Sequence, residues 1–133
     1  MKQVAITLRA LQLFAHNAHN QAKGATFLED HEFFGELYEA YEGEYDSVVE
    51  RMIGEGDETD LNSIAEFAVE TCAEKTPKTN EEAFSTILEY EKELCVNIAK
   101  EVKGASDGTQ NLLQGIADES LVRQYKIGRR LMA

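Results

Sequence analysis

Proline is almost absent from this chain: Pro77 stands alone among 133 residues of which 43% are hydrophobic. A proline inside a helix removes a backbone donor and clashes with the preceding turn, so its scarcity fits a folded, largely helical chain. Cysteine is scarce as well. Cys72 and Cys95 are neither spaced as C-x-x-C nor part of a dense framework. A disulfide scaffold is excluded, and free buried thiols in a reducing cytosol are expected. Long apolar runs are missing too. No stretch reaches the roughly 18 residues of a membrane span, and no basic segment leads into an apolar run at the start. The chain is thus expected to be cytoplasmic, neither membrane-spanning nor secreted by a signal peptide. Basic residues are in deficit, 13 Lys and Arg against 25 Asp and Glu, for a formal net charge of −12. Such a surface does not attract nucleic acid or an anionic membrane by charge alone.

Several common chemistries also lack their residues. No G-x-G-x-x-G or P-loop is present, and no Ser/His/Asp or Cys/His constellation has supporting context. The E-x-x-H pairs that mark di-iron carboxylate bundles are missing, because Glu29-Asp-His31 has the wrong interval.

What is present is helical periodicity. Val4, Leu8, Leu11, Ala15, Ala18 and Ala22 form an apolar stripe that predicts a helix from Met1 to about Ala22. Gly24 stops it, and Thr26-Phe-Leu-Glu29 reads as a capping box for a helix from Phe27 to about Ile53. Gly35 and Gly43 lie inside that helix, each costing about 1 kcal/mol against Ala; close helix contact and a mild kink both remain open as their reason. Gly54-Glu-Gly56 ends it. A linker running to Thr79 follows, with a short amphipathic piece from Asp60 to about Glu74. That is too long for a tight turn and suits a crossover that makes the helices on either side parallel. Thr79-Asn-Glu-Glu82 opens the next helix, Gly104 stops it, and Asp107-Gly-Thr-Gln110 caps a last one through Leu131. The fold class expected is an all-α four-helix bundle with a long crossover carrying a short extra helix. It forms a single domain over residues 1–133, large enough to bury a real core.

The chemistry gathers between His16 and Arg51, which hold all three histidines and an Asp46/Glu50 pair one helical turn apart. Imidazoles with carboxylates suit a borderline divalent metal such as Fe(II), Mn(II) or Zn(II). His19 precedes Gly24 by five residues and His31 follows Thr26 by five. A turn at Gly24-Ala25 therefore brings the two histidines level across a helical hairpin. Asp46 and Glu50 lie 15 and 19 residues beyond His31, roughly 22–28 Å along the helix. One chain cannot put both pairs on one metal. Two chains can, if their second helices pack antiparallel about a two-fold axis, giving two identical mixed sites. For His16, one turn before His19, a role at a second ion and a role as polar neighbour both stay open. Tyr38, Tyr41 and Tyr45 read as interface packing rather than redox relays.

These residues carry a resemblance. H-N-x-H at residues 16–19, then Lys23-Gly24, Phe27, L-x-x-H-E at 28–32 and D-x-x-x-E-R at 46–51 resemble the Dps mini-ferritins, DNA-binding proteins from starved cells. The D-G-T-x-x-L-L-x-x-I run from Asp107 is similar to the start of that family's fourth helix. The resemblance implies a ferritin-like fold and an inter-subunit ferroxidase site of His19, His31, Asp46 and Glu50, with the 12-, 15- and 4-residue intervals all agreeing. Two positions differ. Asn20 stands where the family usually has an aromatic, most often Trp, a residue this chain lacks altogether. Gly35 stands where an acidic residue is often found.

Function follows from the resemblance as an expectation: Fe(II) is oxidised to Fe(III), with H2O2 the usual family oxidant and O2 the other, and ferric mineral is deposited in a hollow dodecamer built on two-fold dimers. Zn2+ is the expected competitor, since it stands above Fe(II) in affinity for such ligands. The acidity then has two readings, an exposed Glu-rich face or an acidic cage interior that collects cations. The rival reading is a non-catalytic ferritin-like shell, or a DNA-associated structural protein, with a weakened metal site. DNA binding is not expected, because only Lys2 and Arg9 are basic before Lys23 and the other cluster is Lys126, Arg129 and Arg130.

Overall fold

The structure, a computed structural model, describes residues 1–132. Five helices follow one another: α1 (Lys2–Gln21), α2 (Phe27–Gly54), α3 (Leu61–Ala73), α4 (Asn80–Val102) and α5 (Asp107–Leu131). No strand occurs among the described residues. The architecture is the expected bundle with a crossover.

Helix directions can be read from the side-chain pairs. On α1 and α2, Arg9 lies over Tyr45 while His19 meets His31, so the two run antiparallel. Phe14 meets Tyr90 and Asn97 donates to Thr7, which makes α4 antiparallel to α1 as well. It follows that α2 and α4 are parallel. Contacts between them confirm it with a constant sequence offset of 50, from Asn80 on Asp30 to Tyr41 on Glu91. The crossover carries α3 back along α1. Lys2 Nζ donates to Ser63 at 3.0 Å near its start, and the Cys72 thiol donates to Ala10 O at 3.2 Å near its end. Only Ile64 and Ala68 of α3 are buried, so it lies on the bundle rather than within it.

Apolar spacing explains the core. Val4, Leu8, Leu11, Ala15 and Ala18 are all buried, as are Phe34, Leu37, Tyr41, Tyr45, Val48 and Met52 on α2. The capping details differ from expectation. Thr79 does cap α4, accepting from Glu82 N at 3.1 Å, but the Glu82 carboxylate returns to Lys78 N rather than to Thr79. Thr26 makes no side-chain cap. Its hydroxyl donates to Asp30 at 2.7 Å instead, joining Asn80 and Arg130 in satisfying that buried carboxylate. At α5 the cap residue is Ser106, and Asp107 is the first helical residue. Gly24 and Gly56 have φ of +90° and +87°, the left-handed backbone that lets the chain leave α1 and α2 sharply.

Two charged clusters tie the bundle together. At one end Arg130 of α5 grips Asp30 of α2 with bonds of 2.8 and 2.7 Å, and Asn80 of α4 donates to the same carboxylate at 2.9 Å. Burial pushes the Asp30 carboxyl up, but the bonds from Arg130, Thr26 and Asn80 outweigh it and hold it below its usual range. Midway along the bundle, Arg123 of α5 lies between Glu91 of α4 and Glu44 of α2.

Candidate metal centre

His19 sits in the last turn of α1 and His31 in the second turn of α2. The hairpin between them makes a reciprocal clasp. His19 Nδ1 lies 2.7 Å from His31 O, and His31 Nδ1 lies 2.7 Å from His19 O. One acceptor is free for a local reason. The Lys23 N–H, which would continue the helical ladder onto His19 O, bonds instead to Asn80 Oδ1 at 3.2 Å. His19 O is thus one of the orphan carbonyls of a helix end. His31 O lies inside α2, one turn before Gly35. A Cβ built on Gly35 would stand 3.2 Å from His19 Nδ1 and 3.4 Å from Cε1. The missing side chain is what lets the His19 ring lie against α2. Gly35 is therefore a close-contact glycine, whereas Gly43 faces open space.

The clasp sets the protonation pattern. A carbonyl oxygen only accepts, so both Nδ1 atoms carry the hydrogen and each neutral ring keeps its lone pair on Nε2. The rings stack with centroids 3.7 Å apart and 21° between planes. Phe27 packs against His31 at 5.0 Å and Tyr38 meets His19 edge-on at 5.4 Å. Two imidazoles oriented by backbone carbonyls, with the remaining nitrogen free, are the usual arrangement of metal-binding histidines.

Asp46 and Glu50 are exposed on the far half of the unbroken α2. They lie roughly 22–28 Å along the helix from His31. Among the described residues of one chain, no three His, Cys, Asp or Glu side chains converge as a metal site. The structure thus joins His19 to His31 and leaves the carboxylate pair apart. His16 is exposed and lies flat on Tyr38, with centroids 4.1 Å apart and planes at 6°, its ring 6.3 Å from that of His19. Tyr38 is accordingly a neighbour of the histidines, whereas Tyr41 and Tyr45 are buried inside the subunit.

Sequence reasoning left the purpose of Gly35 open and missed two other features. Gly35 was readable as a glycine one helical turn after His31. Glu91 and Arg123 were readable as charges on inner stripes, in the runs Ile87-Glu91-Leu94-Ile98 and Ile116-Ser120-Arg123-Ile127. Burial of Asp30 had no such signal, since it stands among the exposed turn residues of Thr26 to Glu29.

A family model described as Ferritin, ferritin-like domain, matches residues 2–131. No curated protein and no solved structure matches.

Proposed function

The chain belongs to the ferritin-like domain family, and on that premise we propose that it is a Dps-type mini-ferritin that oxidises Fe(II) at sites shared between two copies. The observation that carries this reading is the His19–His31 clasp, which presents two Nε2 lone pairs side by side at one end of α2. Asp46 and Glu50 stand near the other end of the same helix. An antiparallel two-fold dimer along α2 brings the carboxylates of one copy to the histidines of the other, and makes two equivalent sites. A dodecamer built on such dimers encloses the mineral.

Each group then has a task. The imidazoles bind Fe(II) without adding charge. The two carboxylates offset the charge of the ion and favour the harder, more highly charged ferric product. Two ferrous ions each lose one electron to one peroxide. Its O–O bond breaks, and both oxygens leave as hydroxide or water. Ferric iron hydrolyses as it enters the mineral and releases protons. Removing Fe(II) and peroxide together suppresses hydroxyl-radical production. The free thiols Cys72 and Cys95 suit a reducing cytosol that supplies Fe(II).

The test is anaerobic Fe(II) loading followed by a peroxide pulse, read by ferric absorbance. Rapid ferric growth that Zn(II) inhibits, and that both His31→Ala and Asp46→Ala abolish, is the expected result. Ferric growth at the uncatalysed rate overturns it.

A further inference from the structure

The mid-bundle cluster lies where this fold family most often does its chemistry. In ferritin-like di-metal proteins, a Glu from each of two helices and a Glu-x-x-His pair from each of the other two project into the bundle core. Two of those six residues have counterparts here. Glu44 of α2 and Glu91 of α4 point inward at the same level, Glu91 fully buried. The other four do not. On α5 the two inward positions three apart are Ser120 and Arg123. At this level α1 offers Leu11 and Phe14, both buried and apolar.

The residues present do not fit a metal, because every carboxylate oxygen is already in use. Glu44 Oε2 and Oε1 accept from Arg123 Nη1 and Nη2 at 2.8 and 3.0 Å. Glu91 Oε1 accepts from Ser120 Oγ at 2.8 Å and Arg123 Nη2 at 3.2 Å. Glu91 Oε2 accepts from Tyr41 OH at 2.7 Å and from Arg123 Nε. The guanidinium also stacks over the Tyr41 ring, 4.9 Å from its centroid. No buried side-chain N or O atom among the described residues lacks a partner. A divalent ion entering here must displace a group that never loses its charge, and break a bidentate pair together with the bonds to Glu91.

We infer that Arg123 is the built-in cation of the bundle core, standing between two glutamates that would otherwise bind metal, and that it bars divalent ions from the interior. Arg123 is then a specificity-determining residue that confines metal to sites elsewhere on the protein. Neither His19 nor His31 belongs to this cluster.

Cobalt titration of the assembled protein tests it. The parent carries His31→Ala, which breaks the hairpin histidine pair, and onto it are placed Arg123→Gln or Arg123→Lys. Bound Co(II) is counted by equilibrium dialysis and identified by its visible d–d absorption. Arg123→Gln is expected to bind about one ion per chain more than the parent, and its Tm to rise with cobalt concentration. Arg123→Lys keeps the positive charge and is expected to bind no more than the parent. A folded Arg123→Gln protein without extra cobalt overturns the inference. If that variant folds only with cobalt present, the ion has replaced the guanidinium and the inference stands. Cobalt-soaked crystals of the wild-type protein give a reading independent of any variant, since an anomalous peak between Glu44 and Glu91 overturns it. Failure of the hairpin-histidine site would show only as equal binding by the wild type and the His31→Ala parent.

Discussion

Two of the polar constellations that involve α2 are built on opposite plans. At the hairpin, His19 and His31 each spend one ring nitrogen on a backbone carbonyl and keep the other free. At mid-bundle, Arg123, Glu44, Glu91, Tyr41 and Ser120 spend every carboxylate oxygen on one another. The first is oriented yet open, and the second is closed. Buried charge alone therefore does not mark a reactive site. Unused coordinating capacity, held in position by bonds made elsewhere, does.

Breaking the closed cluster should have the largest effect. Replacing Arg123 with Met strands the fully buried Glu91 carboxylate and the half-buried one of Glu44, and loss of one partner of a buried pair costs about 3–5 kcal/mol. Chemical denaturation should show that loss, while Arg123→Met combined with Glu44→Gln and Glu91→Gln should recover part of it.

Breaking the open cluster should leave stability nearly unchanged and remove activity. His31→Ala is expected to slow ferrous oxidation by more than the roughly 10–100-fold typical of residues that merely orient a ligand. The shared site makes a further demand. Co-assembled His31→Ala and Asp46→Ala chains should regain one working site per mixed dimer, measured as partial ferric growth in verified mixed oligomers.

Gly35→Ala sharpens the comparison, since it gains about 1 kcal/mol of helix propensity while pushing a Cβ to 3.2 Å from His19 Nδ1. Oxidation should slow by roughly 10-fold with Tm unchanged or higher. Full activity in a folded Gly35→Ala protein would show that the clasp tolerates displacement.

Acid titration separates the closed cluster from the Asp30 tie by sign. Asp30 is held below its usual range, so its contribution is complete above the ordinary Asp value, near 3.9, and is lost as pH falls through its lowered one. Glu44 is shifted the other way: burial, then the charge of Glu91, raise it despite the bonds from Arg123. Its contribution is complete below the ordinary Glu value, near 4.3, and falls as pH rises to the raised one. Melting curves of Asp30→Asn and Glu44→Gln across that range should deviate from wild type in opposite directions.

The smallest expected effect is none. Duplex DNA should not be retarded in a gel-shift at about 0.15 M salt, close to physiological ionic strength. Affinity for DNA comes mainly from free Lys and Arg on phosphates, against a chain carrying −12. Of the basic cluster near the end of α5, Arg130 is already held by Asp30 and Glu81, leaving Lys126 and Arg129. A clean complex at sub-micromolar protein would show that those two suffice.

By itself the sequence determined the helices, their order and the meeting of the histidines. Apolar residues at helical spacing fall on one face whatever they pack against, so the stripes from Val4 to Ala18 and from Phe34 to Met52 were legible before any partner was known. Connection length decided direction: a few residues around Gly24 can only double the chain back, whereas the stretch from Glu55 to Thr79 can carry it the length of the bundle. That hairpin alone levels His19 with His31. Tertiary structure decided the rest, because periodicity names a face and not the atom that meets it. Whether Glu91 on its inner stripe would be a ligand or an ion-pair partner depended on α5 placing Arg123 opposite it. Gly35 acquired its purpose only when the His19 ring came to lie on it. Asp30, in the first turn of α2 and next to an exposed loop, became buried because Arg130 arrives from 100 residues away, a distance over which local sequence carries no information.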